Sequence, residues 1–366
     1  MNSKCRVRTA LTGEEIPDRV PVQFDLCAEL LEGFSDKLDI SVGYRDSYYE
    51  DLRYRISGNG LRTEIGSDCV VVGGGHPEGY EKKVLDGGHK VNEFGMEMRQ
   101  GPLYMEVVEA PLANIEDGGK AEEYEFPDPH ASGRYEGAEK DIEEFGDDYY
   151  VIGDCELTMF EMAWHLVGME KFLRDLTLGK EYTDVLLRKS INWTRGVAEE
   201  LAERDVDALW FGDDVGAQDG LLLSPDLWRN KLKPRYRELF DRVKEIDDEV
   251  TIIFHSDGAV APLIDDLIEI GVDVFNPVQP GVPGHEPREL KDRFGDRISF
   301  FGSVDQQELL PEGSAEEIES DVRSKVEALG KGGGFMIAPA HIIQSDTSME
   351  NVEVFVEAAL KYGEYD

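Results

Sequence analysis

EVTIIFHSDGAVAPLIDDLIEIGVDVFNPVQPGVPGHEPRELKDRFGDRISFFGSVD, residues 249–305, is the stretch that decides the fold. Three short β-branched and aromatic runs stand in it: EVTIIFHSD (249–257), VDVFNPV (272–278) and ISFFGSVD (298–305). Two amphipathic segments, APLIDDLIEIG and PRELKDRFG, separate them. Near-continuous apolar runs are what strands look like when a parallel sheet buries both of their faces. Each run ends in polar residues. The stretch therefore reads strand–helix–strand–helix–strand.

The same alternation extends in both directions. Upstream lie VPVQFD (20–25), DCVVVGGG (68–75), YYVIGDCE (149–156) and VDALWFGDD (206–214); downstream lies GFMIAPAH (334–341). Ser224-Pro225 supplies an N-cap and first-turn proline for a helix running through LWRNKLKPRYRELFDRVKE, and ENVEVFVEAALKYG closes the chain. Trp228, Tyr236 and Phe240 of the long helix are expected to pack on the sheet, and Gly332-Gly333-Gly334 to turn a helix into the last strand. Eight strands alternating with helices predict an α/β fold, a (β/α)8 TIM barrel, as one domain over residues 1–366. A doubly wound open sheet is the alternative, but no GxGxxG follows the first strand. Residues 80–112 read as hairpins, with turns at Asp86-Gly87-Gly88 and Gly101-Pro102, and 114–148 is acidic and rich in Pro and Gly. Residues 80–148 are thus expected to leave the barrel after its second strand.

Composition bounds the function. The 366 residues carry 78 acidic and 38 basic side chains, a formal charge of −40, with 40% hydrophobic residues to build a core. Such a surface repels nucleic acid and anionic membranes. The charge is spread along the whole chain, as expected of a halophilic protein in a high-salt cytoplasm. No apolar run approaches a membrane span, and the N-terminus lacks the apolar core of a secretory signal, so a cytoplasmic protein is predicted. Cys5, Cys27, Cys69 and Cys155 are too scattered for a zinc ribbon and read as buried free thiols.

A barrel carries its active site where the strands end. In order, those ends offer Asp25, His76 after three glycines, Asp154, Asp213 with Asp214, His255 with Asp257, Asn276 with Gln279, Asp305 and His341. His255 and Asp257 are two apart, so both point to one side of the strand end. With His341 they form a set able to bind zinc or another divalent metal while leaving a position open. Asp213, Asp214, Asp25 and His341 are the candidates for acid–base chemistry. Gln218, Asn276, Gln279, Asp305 and His76 are candidates for substrate contact.

RVRTALTGEEIPDRVPVQ (6–23), FGDDVGAQDGLLLSP, FHSDG, LIEIGVDVFNPVQPG, LKDRFGDRISFFGSVDQQELLPEGS and GGGFMIAPAHIIQSDTSMENV together resemble the uroporphyrinogen decarboxylase superfamily. This is a group of (β/α)8 barrels that includes tetrapyrrole decarboxylases and cobalamin-dependent methyltransferases. The resemblance covers nearly the whole chain and places it on a divergent branch near the methyltransferases. The decarboxylases carry an arginine-rich segment after the first strand; here QFDLCAELLEGF (23–34) has no arginine. The methyltransferases typically bind zinc through His-x-Cys and a later Cys, where this chain has His255, Asp257 and His341. The resemblance implies metal-assisted methyl transfer linked to a corrinoid protein or tetrahydrofolate. The alternatives are cofactor-free decarboxylation of a tetrapyrrole or other carboxylated substrate, and tetrapyrrole or corrinoid binding without turnover. A homodimer would be unsurprising for the family.

Overall fold

The computed structural model describes residues 1–12, 16–49, 53–101 and 103–365. Gly13, Glu14 and Glu15 of the first quoted motif, and Pro102 of the expected turn, lie outside the described residues. Thirteen strands are described: β1 Cys69–Gly73, β2 Lys83–Val84, β3 Lys90–Val91, β4 Glu97–Gln100, β5 Met105–Glu109, β6 Tyr150–Asp154, β7 Ala208–Gly212, β8 Gly216–Ala217, β9 Gly220–Leu221, β10 Thr251–His255, β11 Val274–Asn276, β12 Ser299–Val304 and β13 Phe335–Pro339.

A curled, all-parallel sheet of seven strands runs β1-β6-β7-β10-β11-β12-β13. Its strands alternate between two apolar environments, which is why their sequences are near-continuous apolar runs. Ile253, Trp210, Val274, Phe301, Met336 and Ala338 cluster on the inner side. Ile252, Phe254, Phe211, Phe275, Phe300 and Ile337 join the larger cluster shared with the helices. The segment around Val20–Leu26, read as the first strand, forms isolated parallel bridges from Val22 to Ile337 and from Leu26 to Ile343. On its other side Asp68 N donates to Val22 O at 2.8 Å, and Val22 N to the Asp68 carboxylate at 2.8 Å.

Between β1 and β6 the chain forms a four-stranded antiparallel sheet, β2-β3-β4-β5. Gly87 and Gly88 turn its first hairpin at positive φ. The chain then returns through the helix Glu136–Phe145, which packs on β1. The helix read as one after Ser224 is two, Pro225–Lys231 and Lys233–Ile246. Pro234 has no N–H to continue the ladder and crowds the preceding turn, so the chain breaks at Leu232. Ser224 does cap the first of them, accepting from Leu227 N at 3.2 Å. Trp228, Tyr236 and Phe240 are buried, with Tyr236 edge-on to Phe254. Of the four free cysteines, Cys27, Cys69 and Cys155 are buried, but Cys5 is exposed on the first helix. Among the described residues, no helix is long and apolar enough to cross a membrane.

Candidate active site

His255 ends β10 one step above Ile253 on the inward-facing register. Its Nδ1 lies 2.6 Å from Asn276 Oδ1, on the neighbouring strand end. Asn276 Nδ2 points to Phe301 O at 3.4 Å, which places the amide oxygen toward the imidazole. The ring therefore donates from Nδ1 and presents the Nε2 lone pair to the mouth. Nε2 faces Asp257 Oδ1 at 3.8 Å and Asp214 Oδ1 at 3.9 Å. Asp214 also accepts the Asp257 N–H at 2.7 Å, which ties the two acidic turns together. Gly258, at φ 84°, makes this possible: a Cβ there would strike the backbone of Gly216 and Ala217.

His341 approaches from the residue after next beyond β13, its ring centroid 6.0 Å from that of His255. One ligand atom from each of His255, Asp257 and His341 lies within 4.8 Å of the other two. The Nδ1 of His341 is buried without a hydrogen-bond partner among the described residues. Burial, His255 and Arg55 together hold His341 neutral, down to about 3. Burial also opposes charge on His255, but Glu156, Asp257 and Asp214 outweigh it and raise its pKa. Asp257 is pushed up to about 7 by burial and by Asp214.

Below these groups lies a small cavity of about 10 Å³, floored by Trp210 and Phe301 and walled by Asp25, Arg55, His255 and His341. Arg55 stacks over the Trp210 ring at 4.6 Å, pairs with Glu156, and lies 3.6 Å from both Asp25 and Asp154. Arg62 pairs with Asp25 and donates to Arg55 O at 2.7 Å. Asp25, Asp154, Glu156, Arg55 and Arg62 are all buried. With half-exposed Asp214 and Asp257, the mouth holds five carboxyl groups against two guanidinium groups. Such an excess in low dielectric is costly unless a cation or protons relieve it.

The other sequence candidates go elsewhere. Asp213 faces outward and is fully buried. It accepts from the N–H groups of Met159, Phe160 and Glu161, at 2.8–3.1 Å, and from the Tyr236 hydroxyl. It is the cap of the helix Phe160–Val167, whose own N-cap residue, Met159, has no side-chain oxygen to offer. Its lone pairs are committed, so a catalytic acid here is not what the geometry provides. Asp25 is likewise occupied, by Arg62 and by Gln23 Nε2 at 3.0 Å. Asp305 caps the turn after β12, accepting from Gln307 N at 2.7 Å. Gln279 accepts from Gly258 N at 2.6 Å and so pins the FHSDG turn rather than facing the cavity. Gln218 is exposed in the turn between β8 and β9. His76 lies in a different cavity, bonded to Glu93 at 2.7 Å.

Sequence reasoning missed Arg55, Arg62, Glu156, Trp210 and Tyr104. The last reaches the mouth from the β4–β5 hairpin, edge-on to His341 at 5.4 Å. The absence of arginine after the first strand does not leave the mouth without cations, because Arg55 and Arg62 arrive from further along. Four arginines at 45, 53, 55 and 62, in a chain this acidic, were the available signal.

A family model described as Uroporphyrinogen decarboxylase (URO-D) matches residues 90–362. A "Uroporphyrinogen decarboxylase" of Pseudoalteromonas atlantica is 28% identical over 157 residues, 41% of this chain and 42% of that protein. A "Methylated-thiol--coenzyme M methyltransferase" of Methanosarcina mazei is 23% identical over 199 residues, 54% of this chain and 50% of that protein. The chain thus spans half or less of the length of these curated relatives. Among solved structures, a methyltransferase from Methanosarcina mazei covers 99% of both chains with a TM-score of 0.70 at 21% identity, a likeness of fold.

Proposed function

The chain belongs to the uroporphyrinogen decarboxylase family, and on that premise we propose that it is a metal-assisted methyltransferase, a single (β/α)8 barrel whose first stave is the Val20–Leu26 segment. The observation that carries this reading is the convergence of His255, Asp257 and His341 within 4.8 Å. The donor set suits the ion. His255 has its Nε2 lone pair aimed by Asn276, His341 stays neutral with a buried unpartnered nitrogen, and the acid excess around them calls for positive charge. When bound, zinc or a similar divalent ion supplies Lewis acidity to the group that gives or receives the methyl.

The protein's own residues do the rest. Asn276 fixes the His255 tautomer, Asp214 anchors the Asp257 turn, and Trp210 with Phe301 gives the cavity an apolar floor. Arg55, held between Asp25, Asp154 and Glu156, sets one wall rigidly. The cavity as it stands, about 10 Å³, has room for little more than one water molecule, far below the ~300–1,000 Å³ usual for small-molecule sites. The methyl carrier is a corrinoid protein or tetrahydrofolate in this reading, presented at the mouth from outside. Histidine and carboxylate ligands in place of thiolates favour an acceptor other than the coenzyme M thiol named for the Methanosarcina relative.

The test is metal content by mass spectrometry on protein purified in molar KCl without chelator, beside Asp257→Ala. The expected result is close to one equivalent of a transition metal, lost in the variant. Metal absent from both proteins would overturn the reading and favour decarboxylation, with Asp214, 3.9 Å from His255 Nε2, as the sequence-predicted carboxyl at the mouth.

A further inference from the structure

The cavity below His255 and His341 holds little more than a water, so an organic group that reaches these residues must be seated beside it. A second cavity, of about 180 Å³, adjoins it. Ile342 lines both. Tyr104 lines the second and meets the His341 ring edge-on at 5.4 Å. The two spaces are thus parted by the residue that follows His341 and by the ring that touches it.

The walls of the second cavity come from separate parts of the chain. The end of the first stave supplies Cys27, the β4–β5 hairpin supplies Tyr104, and the segment after β13 supplies Ile342 and Gln344. Backbone bonds hold that last segment in place. Ile343 N donates to Asp25 O and Cys27 N to Ile343 O, both at 2.9 Å, and Gln344 O accepts from Thr347 N at 3.1 Å. Gln344 is only 5% exposed, yet its carboxamide makes no hydrogen bond among the described residues. Protein interiors seldom leave such a group without a partner, and the cavity is where one can come from. No basic side chain lines the cavity among the described residues. Its one carboxyl group, Glu29, stands exposed in the first turn of the helix Ala28–Leu38.

We propose that this cavity seats the molecule that reacts beside His341, and that Gln344 recognises on it an uncharged, amide-like group that both donates and accepts hydrogen bonds. The word "reacts" rests on the methyl-transfer reading above; the binding site does not. A carboxamide offers one acceptor oxygen and an NH₂ donor, so its full complement carries both functions. A carboxylate only accepts, would leave the Gln344 oxygen unpaired, and would bury a charge with no cation beside it. An ammonium group only donates and would leave the NH₂ unpaired. Tyr54 and Tyr104 add aromatic surface for a flat ligand. A volume of about 180 Å³, below the ~300–1,000 Å³ usual for small-molecule sites, favours a single ring or its equivalent over four linked pyrroles.

The probes are benzamide and benzoate, which share a shape and differ in charge and in the donor. They are titrated by ligand-observed NMR at fixed ionic strength in molar KCl. Benzamide should bind saturably, and benzoate about tenfold more weakly or worse. Gln344→Leu should weaken benzamide binding by about tenfold and leave the urea midpoint no lower than that of wild type, because no bond inside the protein is lost. Weaker binding with a lower midpoint would assign Gln344 to the fold and overturn the proposal. So would equal affinity for benzoate, or benzamide affinity unchanged in Gln344→Leu. Metal content is read on the same samples. Gln344-dependent benzamide binding in a metal-free protein would overturn the methyl-transfer reading and keep the site, whereas no saturable benzamide binding would overturn the site whatever the metal content.

Discussion

Asp213 and Asp214 are neighbours in sequence, and the geometry gives them opposite tasks. Replacing Asp213 tests this directly. Asp213→Ala strands three backbone N–H groups and the Tyr236 hydroxyl in a fully buried site. Each unsatisfied buried donor costs about 1–3 kcal/mol, and partial relaxation or water entry recovers some of it. The loss should therefore be about 4–6 kcal/mol, a large share of the ~5–15 kcal/mol that holds a typical protein together. Asp213→Asn keeps one acceptor oxygen but turns an NH₂ toward the same donors, for about 2–3 kcal/mol. Tyr236→Phe leaves the three backbone bonds intact and should cost about 2 kcal/mol, the range for a hydrogen bond to a charged acceptor. Urea unfolding in molar KCl measures the series, because urea leaves the ionic screening unchanged. The expected order of stability is wild type, Tyr236→Phe, Asp213→Asn, Asp213→Ala, with metal content of the folded protein unchanged throughout. An Asp213→Asn protein within ~0.5 kcal/mol of wild type would refute the capping role and return this residue to the chemistry.

Two further outcomes follow from the site. Gly212→Ala places a methyl where the Glu156 carboxyl lies, and breaking the buried Glu156–Arg55 pair should cost about 3–5 kcal/mol; an unchanged urea midpoint would show that Glu156 has room to move. Metal affinity should fall as pH falls, measured by competition with a chromophoric chelator. The free site holds protons on His255, whose pKa is raised above 6.5, and on Asp257, raised to about 7, and both must leave when the ion binds. Affinity therefore rises with pH until both groups have lost their protons and drops by up to two decades per unit where both are protonated, while His341, at about 3, contributes nothing near neutral pH. An affinity constant from pH 5 to 7 would exclude these ligands.

The sheet was legible because its strands are buried on both faces and therefore near-continuously apolar. Seven of the eight runs read from the sequence are strands of the parallel sheet, from Cys69–Gly73 to Phe335–Pro339. VPVQFD is held by single bridges around Val22 and Leu26, with Asp68 taking part of its pairing, so its β character rests on context rather than on a regular ladder. The helix break at Leu232 was also written in the chain. Pro234 signals it, but the apolar period continues across Trp228, Tyr236 and Phe240 and conceals it.

The site was only partly legible, and composition is the reason. In a chain with 78 acids, a carboxylate at a strand end carries little information, since helix caps, ion pairs and solvated turns all use the same residue. Histidine is the opposite case. With seven in the chain, three at strand ends stand out, and two of them, His255 and His341, do meet, while His76 goes elsewhere. Parity then separates the acids. Successive residues leaving a strand point to opposite faces, so once His255 is known to face inward, Asp257 must do so as well. The same rule, applied at β7, divides the adjacent pair. Gly212 lies under Glu156 on the inner side, Asp213 turns outward to the helix Phe160–Val167, and Asp214 returns to the mouth to face His255 Nε2. The glycine is the informative residue of that trio. It vacates the inward position on β7 so that a carboxylate from the end of β6 can occupy it beside Arg55, a pairing between separate strand ends that no local motif encodes.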